Sequence, residues 1–139
     1  MATIIREVTI EADAASCWDA LRDFAALHER LAPGFITDSR LENPDTRVVT
    51  FFTGAVARER LVGVDENARR LAYTVIESGL GATHHNAAAQ VVEDGKDRTR
   101  FVWTTDVLPD ELAPPIGELM EAGLKAIKAN LERHRVAAC

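Results

Sequence analysis

The sequence predicts an α+β domain: a seven-stranded antiparallel sheet, curved around one long C-terminal helix, with two short helices after the first strand. Three observations predict it. Apolar residues alternate at period two through most of residues 35–107, interrupted by tight turns, which is the pattern of short strands pairing with their sequence neighbours. The period changes to three and four from Pro114 to about Arg135, the pattern of one amphipathic helix. The chain has 139 residues, one domain's worth, so this helix is the only element long enough to cover the apolar face of such a sheet.

The elements follow in order. Thr3 to Glu11 reads as a strand, with Ile4, Val8 and Ile10 on one face. Asp13 is a good N-cap for a helix in which Cys17, Trp18 and Leu21 share a face. A second short helix spans Phe24 to Leu31 and stops at Ala32-Pro33-Gly34. Six strands come next: Phe35 to Leu41, Arg47 to Thr53, Val56 to Val64, Arg69 to Glu77, Thr83 to Val92 and Arg98 to Val107. Their turns are Asn43-Pro44-Asp45, Gly54, Asp65-Glu66-Asn67, Ser78-Gly79-Leu80-Gly81 and Asp94-Gly95-Lys96-Asp97. Pro114-Pro115 opens the last helix, where proline fits best. Its apolar stripe is Ile116, Leu119, Met120, Gly123, Leu124, Ile127 and Leu131. Glu118, Glu121, Lys125, Lys128 and Glu132 fill the other side, with Glu121 and Lys125 at a favourable four-residue spacing.

Composition excludes several functions. The chain carries 16 basic and 22 acidic residues, a net charge of −6, with no dense Lys/Arg cluster, so a phosphate backbone is repelled and nucleic acid is not an expected partner. No apolar run approaches the roughly 20 residues of a membrane span, so no membrane insertion is expected. Cys17 and Cys139 have no disulfide-like spacing, which points to a reducing compartment and a cytoplasmic location. No cofactor is implied, because no Gly-rich phosphate loop is present. No metal is implied either: His84 and His85 are adjacent on a strand and point to opposite faces, and His28 and His134 have no ligand spacing with them. Cys17, helical and beside Trp18, reads as packing rather than as a nucleophile. The oligomeric state is left open, with a homodimer among the options.

The order of elements resembles the helix-grip fold of the START/Bet v 1-like (SRPBCC) superfamily, in particular its polyketide cyclase/dehydrase and lipid-transport branch. Val8-x-Ile10-x-Ala12 followed by Cys17-Trp18-x-x-Leu21-x-Asp23-Phe24 is similar to the family's first strand and helix. Arg58-Glu59-Arg60-Leu61, Asp65 and Arg70-Leu71-x-Tyr73 resemble its central hairpin, and Thr99-Arg100-Phe101-Val102-Trp103 its last strand. Where many members carry an aromatic near the start of the sixth strand, this sequence has His84-His85-Asn86. The fold hosts cyclases, lipid carriers, hormone receptors and stress proteins, so the resemblance implies a cavity more directly than a reaction.

Pairing arithmetic assigns side chains to faces. The Asp65–Asn67 turn sets Leu61 opposite Tyr73 and Glu59 opposite Val75, so Ala57, Glu59, Leu61, Gly63, Leu71, Tyr73 and Val75 face the helix. The Asp94–Asp97 turn adds His85, Ala87, Ala89, Val91, Phe101, Trp103 and Thr105 to that face. Ala87 and Ala89 are small, and Gly123 opposes them from the helix at a cost of roughly 1 kcal/mol in helix propensity. Together with the resemblance, these small residues predict a cavity for a small apolar or lipid-like ligand, lined by Leu61, Ala87, Ala89, Phe101, Trp103, Met120, Gly123 and Ile127. The plainer alternative is that Trp103, Tyr73 and Met120 fill the space.

Three polar residues on the inner face are candidate catalytic groups. Glu59 is an expensive carboxylate there unless paired or protonated. It serves either as a general base or as the partner of Arg6 or Arg47 in a structural ion pair. His85 suits acid–base work near neutral pH, or sits at a cavity rim bonded to backbone or water. Tyr73 donates to a ligand carbonyl, or packs in the core with a tethered hydroxyl. Three readings follow: a carrier or sensor of a hydrophobic small molecule, a polyketide cyclase or dehydratase using Glu59, Tyr73 or His85 for proton transfer, and a protein–protein adaptor using the same groove.

Overall fold

The computed structural model describes residues 1–136, and Cys139 lies outside them. β1 (Ala2–Ile10) leads into α1 (Ala14–Arg22), capped by the Asp13 side chain, which accepts from the Ser16 backbone N–H. The expected second helix is two pieces: a 3₁₀ turn over Phe24–Ala26 and a π-helical turn over Leu27–Leu31. The wider turn ends where the Ala32 N–H reaches back to the Leu27 carbonyl. Then come β2 (Ile36–Asn43), β3 (Thr46–Phe51), β4 (Val56–Asp65), β5 (Arg70–Glu77), β6 (His84–Glu93) and β7 (Thr99–Leu108). A 3₁₀ turn at Asp110–Leu112 precedes α2 (Ala113–Val136), which carries both prolines in its first turn.

All seven strands form one antiparallel sheet in the order β1-β7-β6-β5-β4-β3-β2. β2 to β7 are a meander, and β1 closes the far edge by pairing with β7 along its whole length. Leu61 stands opposite Tyr73 and Glu59 opposite Val75. The facing expected for Gly63 fails: the register shifts between Leu61 and Gly63, so Val64 rather than Gly63 pairs with Leu71. An extra residue in one strand is a β-bulge, which bends the strand and turns the following side chains outward. Gly63 and Val64 are both solvent-exposed as a result.

The sheet's concave face and α2 enclose the core. Ile116, Met120, Leu124, Ile127 and Leu131 are buried along one stripe of α2, and Ile10, Leu71 and Phe101 are buried on the sheet. Each such side chain stabilises the fold by roughly 1.5–3 kcal/mol. Side-chain links fix α2 along the β1 edge. Arg6 pairs with Glu121 at 3.3 Å, Lys128 Nζ donates to the Thr9 carbonyl at 2.7 Å, and the Glu11 N–H donates to Glu132 at 2.8 Å. Asn130, 1% exposed, donates to the Arg30 carbonyl at 2.8 Å and ties the helix to the π turn. The helix backbone therefore lies closest to β1 and to the Leu27–Leu31 turn, and stands off the middle of the sheet.

Candidate functional site

The stand-off leaves a cavity of about 390 Å³ between α2 and the middle strands. Leu27, Leu31 and Phe35 wall one end, Leu71, Val75, Ala89 and Phe101 form the sheet side, and Ile116, Leu119, Met120 and Ile127 form the helix side. The exposed lining residues Thr53, Ala55, Val56, Gly79, Leu80 and Pro115 mark the mouth. It opens between the β3–β4 turn, the β5–β6 loop and the start of α2. Size and lining both fit the range of small-molecule sites, roughly 300–1,000 Å³ and mostly apolar.

Eight of the side chains predicted to form a site line this cavity: Glu59, Tyr73, His85, Ala89, Phe101, Trp103, Met120 and Ile127. Leu61, Ala87 and Gly123 do not. Leu61 packs half-buried against the edge of the core. Ala87 is buried between Tyr73 and Thr105 in the sheet register. Gly123 does not leave space empty. A Cβ there would lie 2.9 Å from Trp103 Cζ3 and 3.0 Å from Phe35 Cε2. The missing side chain lets two aromatic rings rest on the helix backbone, so the volume expected at Gly123 is filled by those rings.

Glu59 is 5% exposed and its partner is Arg47. Arg47 Nε and Nη2 both reach Glu59 Oε1 at 2.8 Å, and Nη1 donates to the Phe24 carbonyl at 3.1 Å. The guanidinium also lies over the Phe24 ring, 4.1 Å from its centroid, and 5.3 Å from that of Tyr73. Arg6, the other partner considered, pairs with Glu121 instead. Arg47 stands opposite Glu59 in the β3–β4 register, a pairing that the Gly54 turn carries in the sequence.

Tyr73 and Trp103 meet across the cavity wall, the indole N–H donating to the Tyr73 hydroxyl at 3.2 Å. Burial, reinforced by the Glu59 carboxylate, pushes the Tyr73 hydroxyl well above its ordinary value, so it stays protonated. His85 and Glu59 stand on strands separated by β5: Glu59 pairs with Val75, and the β5–β6 pairing runs as far as Thr74 with Asn86, next to His85. At the usual strand spacing their backbones are roughly 10 Å apart. His85 Nδ1 is buried with no hydrogen-bond partner. Burial, then the neighbouring His84, lower its proton affinity and favour the neutral ring.

Leu27, Leu31 and Phe35 are lining residues that the facing argument did not reach. The apolar residues at four-residue spacing in the Leu27–Leu31 segment were a visible signal for a buried face, but not for which wall it joins. Cys17 is buried, and that burial pushes its thiol up to about 11, so it is unreactive. Among the described residues, no three His, Cys, Asp or Glu side chains gather as a metal site requires, and no helix is long and apolar enough to cross a membrane.

Residues 1–136 match the model of the family described as polyketide cyclase/dehydrase and lipid transport. The chain belongs to this family. No curated protein matches it. Among solved structures it is similar to a protein from Thermobifida fusca, with 30% identity, a TM-score of 0.77 and coverage of 99% of this chain and 95% of that one. It is also similar to an aromatase/cyclase from Streptomyces sp. R1128, with 21% identity, a TM-score of 0.79 and coverage of 99% and 97%. A START superfamily protein from Mycobacterium smegmatis, 17% identical, superposes with a TM-score of 0.74 and 99% of both chains covered. At those identities the last two relatives establish the helix-grip fold of the polyketide cyclase family and START proteins, and nothing about chemistry.

Proposed function

We propose that this member of the polyketide cyclase family binds one small hydrophobic molecule in the cavity between the sheet and α2, as a carrier or sensor. The observation that carries the reading is the cavity itself, about 390 Å³, open at one end and walled by aliphatic and aromatic side chains. A chain that needed only a core would close such a space, because unfilled volume forfeits packing energy. Of the three candidate catalytic groups in the wall, two are already engaged: Glu59 with Arg47, and Tyr73 with Trp103. That arrangement supports binding and orientation more than proton transfer. Native mass spectrometry of freshly purified protein tests it, with a co-purified small molecule released by organic solvent as the expected result. A bare chain that also fails to take up any apolar fluorophore would contradict it.

A second reading, a cyclase- or dehydratase-like enzyme, is favoured by one observation. His85 Nδ1 is buried at the cavity wall without a partner, as an acid or base waiting for substrate would be. In this reading His85 moves the proton and Tyr73 holds the substrate, while Glu59 positions Arg47. A folded His85→Gln protein that retains full turnover of a substrate found for the wild type would exclude it.

A further inference from the structure

We infer that the occupant of the cavity is an uncharged molecule with a carbonyl or ether oxygen that accepts a hydrogen bond from the Tyr73 hydroxyl. The inference rests on the ligand-binding reading above and specifies its chemistry.

The charges in the wall select against an ionic occupant. Arg47 and Glu59 are the only charged residues that line the cavity among the described residues, with His85 the remaining titratable group besides Tyr73. Their charges cancel at 2.8 Å, and Arg47 is further committed to the Phe24 carbonyl and ring. An anion entering the cavity would lose its water and face the Glu59 carboxylate, and a cation would face the Arg47 guanidinium. Neither finds a free counter-ion, so the desolvation cost of a charged ligand is not offset. His85 does not change this balance, because burial keeps its ring neutral.

The direction of one hydrogen bond selects for an acceptor. An indole N–H only donates, so in the Trp103–Tyr73 contact the Tyr73 oxygen is the acceptor. The proton of Tyr73 is left over. The indole is the one hydrogen-bond partner of that hydroxyl among the described residues. A buried hydroxyl proton without an acceptor is costly, and Tyr73 is one of the side chains that line the cavity. The ligand is thus asked for an acceptor, and a neutral one. Trp103 holds the hydroxyl in place for it, with the far edge of its ring resting on Gly123.

The test is displacement of the fluorophore 1-N-phenylnaphthylamine by four ten-carbon compounds near neutral pH: decane, 2-decanone, decanoate and decylamine. The ketone is expected to compete about tenfold better than the alkane, the effect of one net hydrogen bond. Decanoate and decylamine are expected to be weaker than the ketone by about a hundredfold or more, the effect of an unpaired buried charge. In Tyr73→Phe the roughly tenfold advantage of the ketone over decane should vanish, whereas mere structural damage would weaken both alike and keep their ratio. Infrared spectroscopy of the bound ketone gives a check that needs no variant: its carbonyl stretch should sit below its value in hexane. Equal competition by decanoate or decylamine, an unshifted carbonyl, or a ketone advantage that survives Tyr73→Phe would overturn the inference while leaving the cavity reading intact. Failure of the fluorophore and all four compounds to bind would overturn both.

Discussion

Arg47 and Glu59 form a buried ion pair on the cavity wall, two guanidinium nitrogens meeting one carboxylate oxygen at 2.8 Å. The pair explains how a carboxylate is tolerated on an apolar face. It also makes removal of one partner a sharper test than removal of both. Glu59→Gln leaves Arg47 buried without its counter-charge and is expected to destabilise the fold by about 3–5 kcal/mol. The double change Arg47→Met with Glu59→Leu should recover most of that loss, since a well-packed apolar pair often replaces an ion pair at little cost. Urea denaturation of the three proteins measures both effects.

Gly123→Ala sets two effects against each other. Alanine gains roughly 1 kcal/mol in helix propensity. Its Cβ, however, would press against the rings of Trp103 and Phe35 at 2.9 and 3.0 Å. Trp103 is held through its indole N–H, so its ring does not swing away freely. Overpacking of this kind costs about 1–3 kcal/mol. The expected outcome is a net loss of stability, read as a lower Tm, with a change in Trp103 fluorescence as the ring is pushed toward the cavity.

His85 predicts a pH dependence. Burial, then His84, lower its folded-state pKa below the ordinary 6.5. Above that ordinary value both folded and unfolded chains hold a neutral ring and His85 has no effect. As the pH falls below it, the unfolded chain binds the proton first, so stability is lost progressively down through the folded-state pKa. The wild-type Tm should drop between neutral and mildly acidic pH by more than that of His85→Gln, and calorimetry at the two pH values checks the difference.

Asn130 ties α2 to the carbonyls of Arg30 and Leu31, which end the π turn. Asn130→Leu leaves those carbonyls without their donor and is expected to cost about 1–3 kcal/mol. Amide exchange should rise specifically in residues 27–32, the segment that walls the cavity with Leu27 and Leu31.

Much of this was legible in the sequence, because turn residues set strand register. A tight turn at Asp65–Asn67 predicts Glu59 beside Val75 and Leu61 beside Tyr73, and those pairs form, but through a register shift near Gly63 that offsets the wider Asp65–Arg70 closure. The bulge at Gly63 was not legible, since one extra residue in a strand leaves the alternation on either side almost unchanged. The π turn was hidden for a similar reason: apolar residues at Leu27 and Leu31 suit an ordinary helical turn as well. The site was legible as a face but not as a volume. Small residues at Ala87 and Gly123 suggested space, yet whether a gap stays empty depends on rings arriving from elsewhere in the chain, here Trp103 and Phe35. The hydrogen-bond state of His85 and Tyr73 likewise depends on neighbours that only the folded chain brings together.

The most direct measurement of the central claim is a fluorescence titration with 1-N-phenylnaphthylamine, for the wild type and for Val75→Trp. Val75 lines the cavity, so a tryptophan there fills part of its space. The account predicts saturable binding of one fluorophore per chain, lost in a folded Val75→Trp protein. An absence of saturable binding, or binding that the filled cavity leaves unchanged, would contradict it.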